Sequence, residues 1–311
     1  MTRRFSNIII VLLAGLATLV GCVPKSGKKQ DAGNVITVSI PPLYGLVQEI
    51  VGNDFTVQVL LPEGSTPETY SPTIGQISAV QESEFLFTCN LLEFEKVVTK
   101  RLEESRKISI VNISEGCKII DNQCDTNCKD GENQLCEHSE EAHQHHSHHH
   151  HGGVDPHVWM SPFELETMAN NIGRAICNAY PDSAKYVTNL ERLIGKLQER
   201  QTRYAEQLQG AGSRVFLIYH PALSYLARDY DLVQVALENE GKNPTPSTLA
   251  EVVETVNKHQ IGQMMYQAEY PWDTIKPIID ILGVNAVQIN PLSKDVISEL
   301  DKVINTISAT K

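Results

Sequence analysis

Positive charge is what this sequence is short of: 26 Lys and Arg stand against 38 Asp and Glu in 311 residues, a net of −12 with His neutral. This balance offers no net electrostatic footprint for a phosphate backbone, which argues against a nucleic-acid partner. Long apolar runs are scarce as well. One occurs, from Ile8 to Val20. It is too short for an ordinary spanning helix but right for the hydrophobic region of an export signal, with Arg3 and Arg4 as its positive segment. No second run reaches spanning length, so the mature chain is expected to be anchored to a membrane without crossing it. Also missing is any His-Glu-x-x-His pair of the kind that sets a general base beside a zinc, which counts against a zinc hydrolase. The seven cysteines lack the paired short gaps of a zinc ribbon.

What the sequence does hold begins at Leu19-Val20-Gly21-Cys22, which resembles a bacterial lipobox. Residues 1–21 read as a lipoprotein signal peptide, Cys22 as the lipidated first residue of the mature chain, and 22–34 as a flexible tether rich in Lys, Gly and Ser. Removing the signal leaves 24 basic against 38 acidic side chains, a net of −14. The expected location is the periplasmic side of the cell envelope, where disulfides persist. Cys117, Cys124, Cys128 and Cys136 are crowded into twenty residues and read as local disulfides, with three pairings open, whereas Cys89 and Cys177 fall in ordered segments.

From Val35 onward short β-branched runs alternate with segments of helical spacing. Strands are expected at Val35–Ile40, Thr56–Leu61, Glu84–Thr88 and Ile108–Ile113, with helices at Leu43–Ile50, Ile74–Val80 and Leu91–Leu102. Residues 114–153 break the pattern, hold the four clustered cysteines and read as a mobile loop with no core to bury. Pro162 to Leu208 is helix-compatible, broken at Tyr180-Pro181-Asp182, where the proline is expected to start a new helix. Alternation then restarts, with strands at Val215–Tyr219, Val233–Leu237, Gly262–Tyr266 and Ala286–Ile289 and helices between and after them. The expected fold is α/β: two similar lobes, each a parallel sheet flanked by helices, joined by one long rigid helix, with the ligand in the cleft between them. The lobes span 35–181 and 211–311, and the connecting helix 182–210.

Eight of the eleven histidines form a tract: His138, His143, His145, His146, His148, His149, His150 and His151. Neutral imidazoles at that density make weak, exchanging metal sites, so the tract reads as an auxiliary metal-gathering loop. His259 ends a helical segment, where a cation suits the helix dipole. His220 directly follows an apolar strand, where an open α/β sheet presents functional groups. His157 lies in Asp155-Pro156-His157-Val158-Trp159-Met160-Ser161-Pro162, held by Pro156 on one side and by a helix start, Ser161 as cap and Pro162 in the first turn, on the other. A histidine on so stiff a turn is pre-oriented, as a metal ligand must be.

That octapeptide resembles the Asp-Pro-His-Val-Trp-Leu-Ser-Pro signature of the substrate-binding proteins of zinc and manganese ABC transporters, with Met160 in place of the leucine. Ser39 to Tyr44, Pro62 to Pro72, Tyr219 to Tyr230 and Asn290-Pro291-Leu292 extend the resemblance over most of the mature chain, and a His-rich loop before the signature is typical of the zinc branch. The resemblance implies a two-lobed monomer that captures Zn2+, with Mn2+ as the alternative cargo, and delivers it to a membrane permease with its ATPase. A metal-binding adhesin is a further reading, and a zinc hydrolase the weakest. The family's second and third histidine ligands fall on His157 and His220. Its first falls on Glu68, a harder donor that zinc nonetheless accepts and that weakens discrimination against manganese. Glu63 is a nearby substitute for Glu68. The fourth position is open between Asn290, a poor zinc ligand where manganese-type relatives carry an aspartate, a water that completes the tetrahedron, and Glu269, which follows a strand end but also reads as a helix-start acid.

Overall fold

The computed structural model describes residues 34–103, 107–121, 153–238 and 241–309. The signal, the tether up to residue 33 and the His tract lie outside them.

In the first lobe the order is β1 (Val35–Val38), α1 (Pro42–Val51), β2 (Thr56–Val59), α2 (Ile74–Val80), β3 (Phe85–Thr88), α3 (Glu93–Leu102) and β4 (Ser109–Asn112). The four strands are parallel in the order β2-β1-β3-β4. Two helices follow, α4 (Pro162–Ala179) and α5 (Ala184–Gln209). The second lobe is β5 (Val215–Ile218), α6 (Ser224–Asp229), β6 (Val233–Ala236), α7 (Pro246–His259), β7 (Gln263–Gln267), α8 (Trp272–Leu282), β8 (Asn285–Ile289) and α9 (Val296–Ser308). Its parallel sheet repeats the pattern as β6-β5-β7-β8. In each lobe the chain winds outward from a switch point between its first and third strands, which opens a crevice at their carboxyl ends.

Local chemistry accounts for the helix positions. In α1, Pro42 presets the first turn, Leu43, Leu46, Val47 and Ile50 recur on one buried stripe, and Gly52 leaves at φ 62°. At α4 the Ser161 side chain accepts from the Glu164 N–H and Pro162 occupies the first turn. The long helix α5 starts later than expected: Pro181 sits in the preceding turn, closed by Ser183 N–H donating to the Tyr180 carbonyl, and the helix begins at Ala184.

Helix α5 runs against both lobes. Its first half is tied to the N-terminal lobe by Tyr186 Oη to Asp54 (2.7 Å), Asn189 to the Ile50 carbonyl (2.9 Å) and Lys196 to Glu49 (2.6 Å). Its second half reaches α9, where Asp301 receives Arg203, Arg200 and the Tyr204 hydroxyl. A single apolar core continues from the first sheet through Trp159 and Leu197 to Phe216, Ile218, Met265 and Leu300. The opposite face of the second sheet carries its own cluster, with Leu217 and Met264 pointing into it, as strand alternation requires.

The expected loop 114–153 is ordered at its ends. Ser114 is buried, Ile119 and Ile120 pack on the core, and Asp121 bridges Val154 antiparallel. Ile120 N–H donates to the Tyr225 hydroxyl (3.1 Å), which itself donates to the Asp155 carbonyl (2.6 Å), so apolar residues in this stretch have a core after all. Cys117 carries a free, half-buried thiol, and burial, with the neighbouring Glu164 adding to it, pushes it up to about 12. Cys89 and Cys177 are free as well, while Cys124, Cys128 and Cys136 lie outside the described residues. Among the described residues no helix is long and apolar enough to cross a membrane.

Candidate metal centre

Three segments converge on one point. The loop after β2 brings Glu68, braced by Tyr70, whose hydroxyl donates to the Leu60 carbonyl (3.2 Å) and whose ring meets Phe94 edge-on at 5.1 Å. The turn leading into α4 brings His157. The end of β5 brings His220, whose backbone is clamped by the buried Gln267: the His220 N–H donates to Gln267 Oε1 (3.3 Å) and Gln267 Nε2 donates to the His220 carbonyl (2.6 Å). Ligand atoms of Glu68, His157 and His220 all lie within 4.8 Å of one another, close enough to share one ion. His157 Nε2 is 3.7 Å from Glu68 Oε1, and the two imidazole rings meet edge-on with centroids 5.3 Å apart.

The orientation of both rings is set from behind. Asp155 Oδ1 accepts the His157 backbone N–H (2.9 Å) and faces Nδ1 at 2.8 Å. Glu238 Oε2 faces His220 Nδ1 in the same way. With each Nδ1 engaged by a carboxylate, each Nε2 is left with a lone pair for a metal. His157 is 7% exposed and its ring lies 5.4 Å from that of the buried Trp159, whose Nε1–H donates to the Pro291 carbonyl (2.9 Å).

The field at this point is negative. Burial disfavours a charged His157, but the Asp155 hydrogen bond and the charges of Asp155, Glu68 and Glu269 outweigh it and hold the imidazole above its ordinary range. Burial pushes against the ionised forms of Asp155 and Glu238 too, and contact with their histidines still takes both carboxyls below the usual value. Burial raises Glu269, and repulsion from Glu68 adds to it while the two histidines oppose. Carboxylates crowded around two imidazoles in this way could hold a cation.

The other expected residues fall as follows. Glu269 lies in the turn after β7, ahead of α8 at Trp272, so it is not a helix-start acid; that place is taken by Asp273. It is half-buried and within electrostatic reach of all three clustered residues. Asn290 is exposed, and its side-chain oxygen accepts the Leu292 N–H (3.1 Å), closing a turn. Glu63 is turned away to Lys294 (3.0 Å). His259 ends α7, as its position in the sequence implied. Sequence reasoning passed over Asp155, Glu238 and Gln267 as supports of the histidines. The first was legible as an acid two residues before His157. The other two required the sheet order, which sets the ends of β6 and β7 on either side of β5.

The family model described as "Zinc-uptake complex component A periplasmic" matches residues 36–308. The zinc-binding lipoprotein AdcA of Streptococcus pneumoniae strain R6 is 27% identical over 289 residues, covering 91% of this chain and 55% of that protein. This chain thus spans about half the length of that relative. The high-affinity zinc uptake system protein ZnuA of Bacillus subtilis is 25% identical over 323 residues, 100% of this chain and 96% of that one. Among solved structures, a crystal structure of ZnuA superposes with a TM-score of 0.75 at 25% identity, covering 89% of this chain and 99% of that one. With its match over nearly the whole of both lobes, the chain belongs to the family of periplasmic component A proteins of zinc-uptake complexes.

Proposed function

We infer that the protein is an extracytoplasmic solute-binding component that captures Zn2+ in the cleft and hands it to an ABC permease driven by its ATPase. The observation that carries this reading is the convergence of Glu68, His157 and His220 within 4.8 Å, with both histidines backed by carboxylates. These three supply a His2Glu donor set of a kind zinc accepts, and Glu269 is the fourth ligand, approaching from the second lobe. Glu68 is the most open of the three at 37% side-chain exposure, against 9% for His157 and 18% for His220. Incoming metal therefore meets Glu68 first and is desolvated onto the imidazoles. No general base is assigned, because the nearby carboxylates are engaged in holding the histidines or the metal; the role is capture rather than turnover. The Glu68 oxygen leaves manganese as the competing cargo.

The same reading places the protein on the membrane through a lipid on Cys22 after removal of residues 1–21, with 22–34 as the tether. It takes 35–181, 182–210 and 211–311 as the functional lobes and their connecting helix. The His tract, 138–151, gathers metal without forming the tight site.

The test is native mass spectrometry of the mature protein with zinc and manganese in competition, alongside His157→Ala and a form lacking residues 138–151. One tightly held zinc should survive loss of the tract and vanish in His157→Ala. Tight zinc retained by His157→Ala, or exclusive manganese occupancy, overturns the assignment.

A further inference from the structure

The two histidines of the cleft are supported in different ways. His157 is held by Asp155, two residues away on the same turn. His220 depends on a residue from another strand, and the sheet register explains why that residue arrives where it does. Strands β5 and β6 are parallel neighbours with Ile218 paired to Ala236. His220 and Glu238 each lie two residues beyond that pair, so the two side chains leave adjacent strand ends in the same phase. Glu238 is 3% exposed. Its backbone N–H donates to the Tyr219 carbonyl (2.8 Å), one carboxylate oxygen accepts the Gly241 N–H, and the other faces His220 Nδ1. A buried carboxylate with both oxygens engaged has no freedom to turn.

We propose that Glu238 is a positioning residue that fixes the Nδ1–H tautomer of His220, strengthens its Nε2 as a donor, and thereby sets the preference of the cleft for zinc over manganese. This rests on the reading of His220 as a metal ligand. Glu68 brings a hard oxygen donor, which favours manganese relative to zinc. An imidazole whose far nitrogen donates to a carboxylate gives more electron density through its near nitrogen, and zinc gains more from a stronger nitrogen donor than manganese does. Glu238 thus offsets, through His220, the hardening that Glu68 introduces.

The experiment measures zinc and manganese dissociation constants of the mature protein by chelator competition for the parent chain, Glu238→Gln and Glu238→Asp. Glu238→Gln is expected to weaken zinc by about 10–100-fold and manganese by much less, so the ratio of the two falls, while Glu238→Asp recovers part of it. Equal losses for both metals show a purely structural role and overturn the proposal, as does unchanged zinc affinity. Should Glu238→Gln not fold, nitrogen NMR of the His220 ring in the parent protein decides: the Nδ1–H tautomer supports the proposal and the Nε2–H tautomer overturns it. A parent chain that takes up no zinc defeats the capture reading instead, so the two failures are distinguishable.

Discussion

At the residue scale the informative position is Glu68. The family resemblance leads to an imidazole there, and the chain supplies a carboxylate that nonetheless reaches to within 3.7 Å of His157 Nε2. Replacing it by histidine exchanges a hard donor for a borderline one. Glu68→His is therefore expected to raise the ratio of zinc to manganese affinity, read by competition between the two metals, whereas Glu68→Ala should weaken zinc by at least about tenfold, beyond a mere loss of ligand support. A ratio unchanged by Glu68→His would mean that the carboxylate does not touch the metal. His157 and His220 were legible in the sequence because each lies in a distinctive local context, a proline-braced turn and a strand end. Glu238 was not, since nothing in Leu237-Glu238-Asn239 distinguishes a buried acid from a solvated one until the register of β5 against β6 is known. The turn that Asn290 closes was not legible as such: its place near the last strand suggested a ligand, and its side-chain oxygen accepts the backbone N–H two residues on.

At the element scale most strands and helices were readable because periodicity and punctuation agree. The carboxyl-terminal stop of α1 at Gly52 and the start of α4 at Ser161-Pro162 are both local signals. The way elements from different lobes approach each other is less legible. Gly45, in the middle of α1, looks like a cost to the helix until the loop after β8 is seen to press against it: a Cβ there would lie 2.5 Å from the Lys294 carbonyl oxygen. Because the obstacle is backbone, it cannot rotate away. Gly45→Ala is therefore expected to destabilise the protein by about 1–3 kcal/mol despite the better helix propensity of alanine, measured by denaturant unfolding. A neutral or stabilising result would show that the 290–295 loop is free to move off α1. The same loop receives Trp159 through the Pro291 carbonyl, so its displacement should also be visible as a change in tryptophan fluorescence.

At the scale of the whole molecule the two sheets are separate, yet the core that joins them is continuous. Phe87 of the first sheet, Trp159 and Leu197 of the connecting region, and Ile218 and Leu300 of the second lobe belong to one buried cluster. Around it, Tyr225 to Asp155, Arg228 to Glu164 (2.7 Å) and Trp159 to Pro291 tie one lobe to the other. Opening the lobes as rigid bodies would expose that core, at roughly 25 cal/mol for each Å² of apolar surface brought into water. The lobes should consequently unfold together, giving a single calorimetric transition; two resolved transitions would show that the core does not couple them. On the proposed reading a bound metal is a second tie, because Glu68 and His157 come from the first lobe and its exit into α4, whereas His220 comes from the second. An ion bound only by the folded cleft stabilises it by about 2.7 kcal/mol when free metal is a hundredfold above its dissociation constant. Adding zinc to chelator-treated protein should accordingly raise the melting temperature by several degrees. The rise should be absent in His157→Ala and retained when residues 138–151 are deleted. A rise that followed the His tract instead would mean that the folded cleft is not where zinc acts on stability.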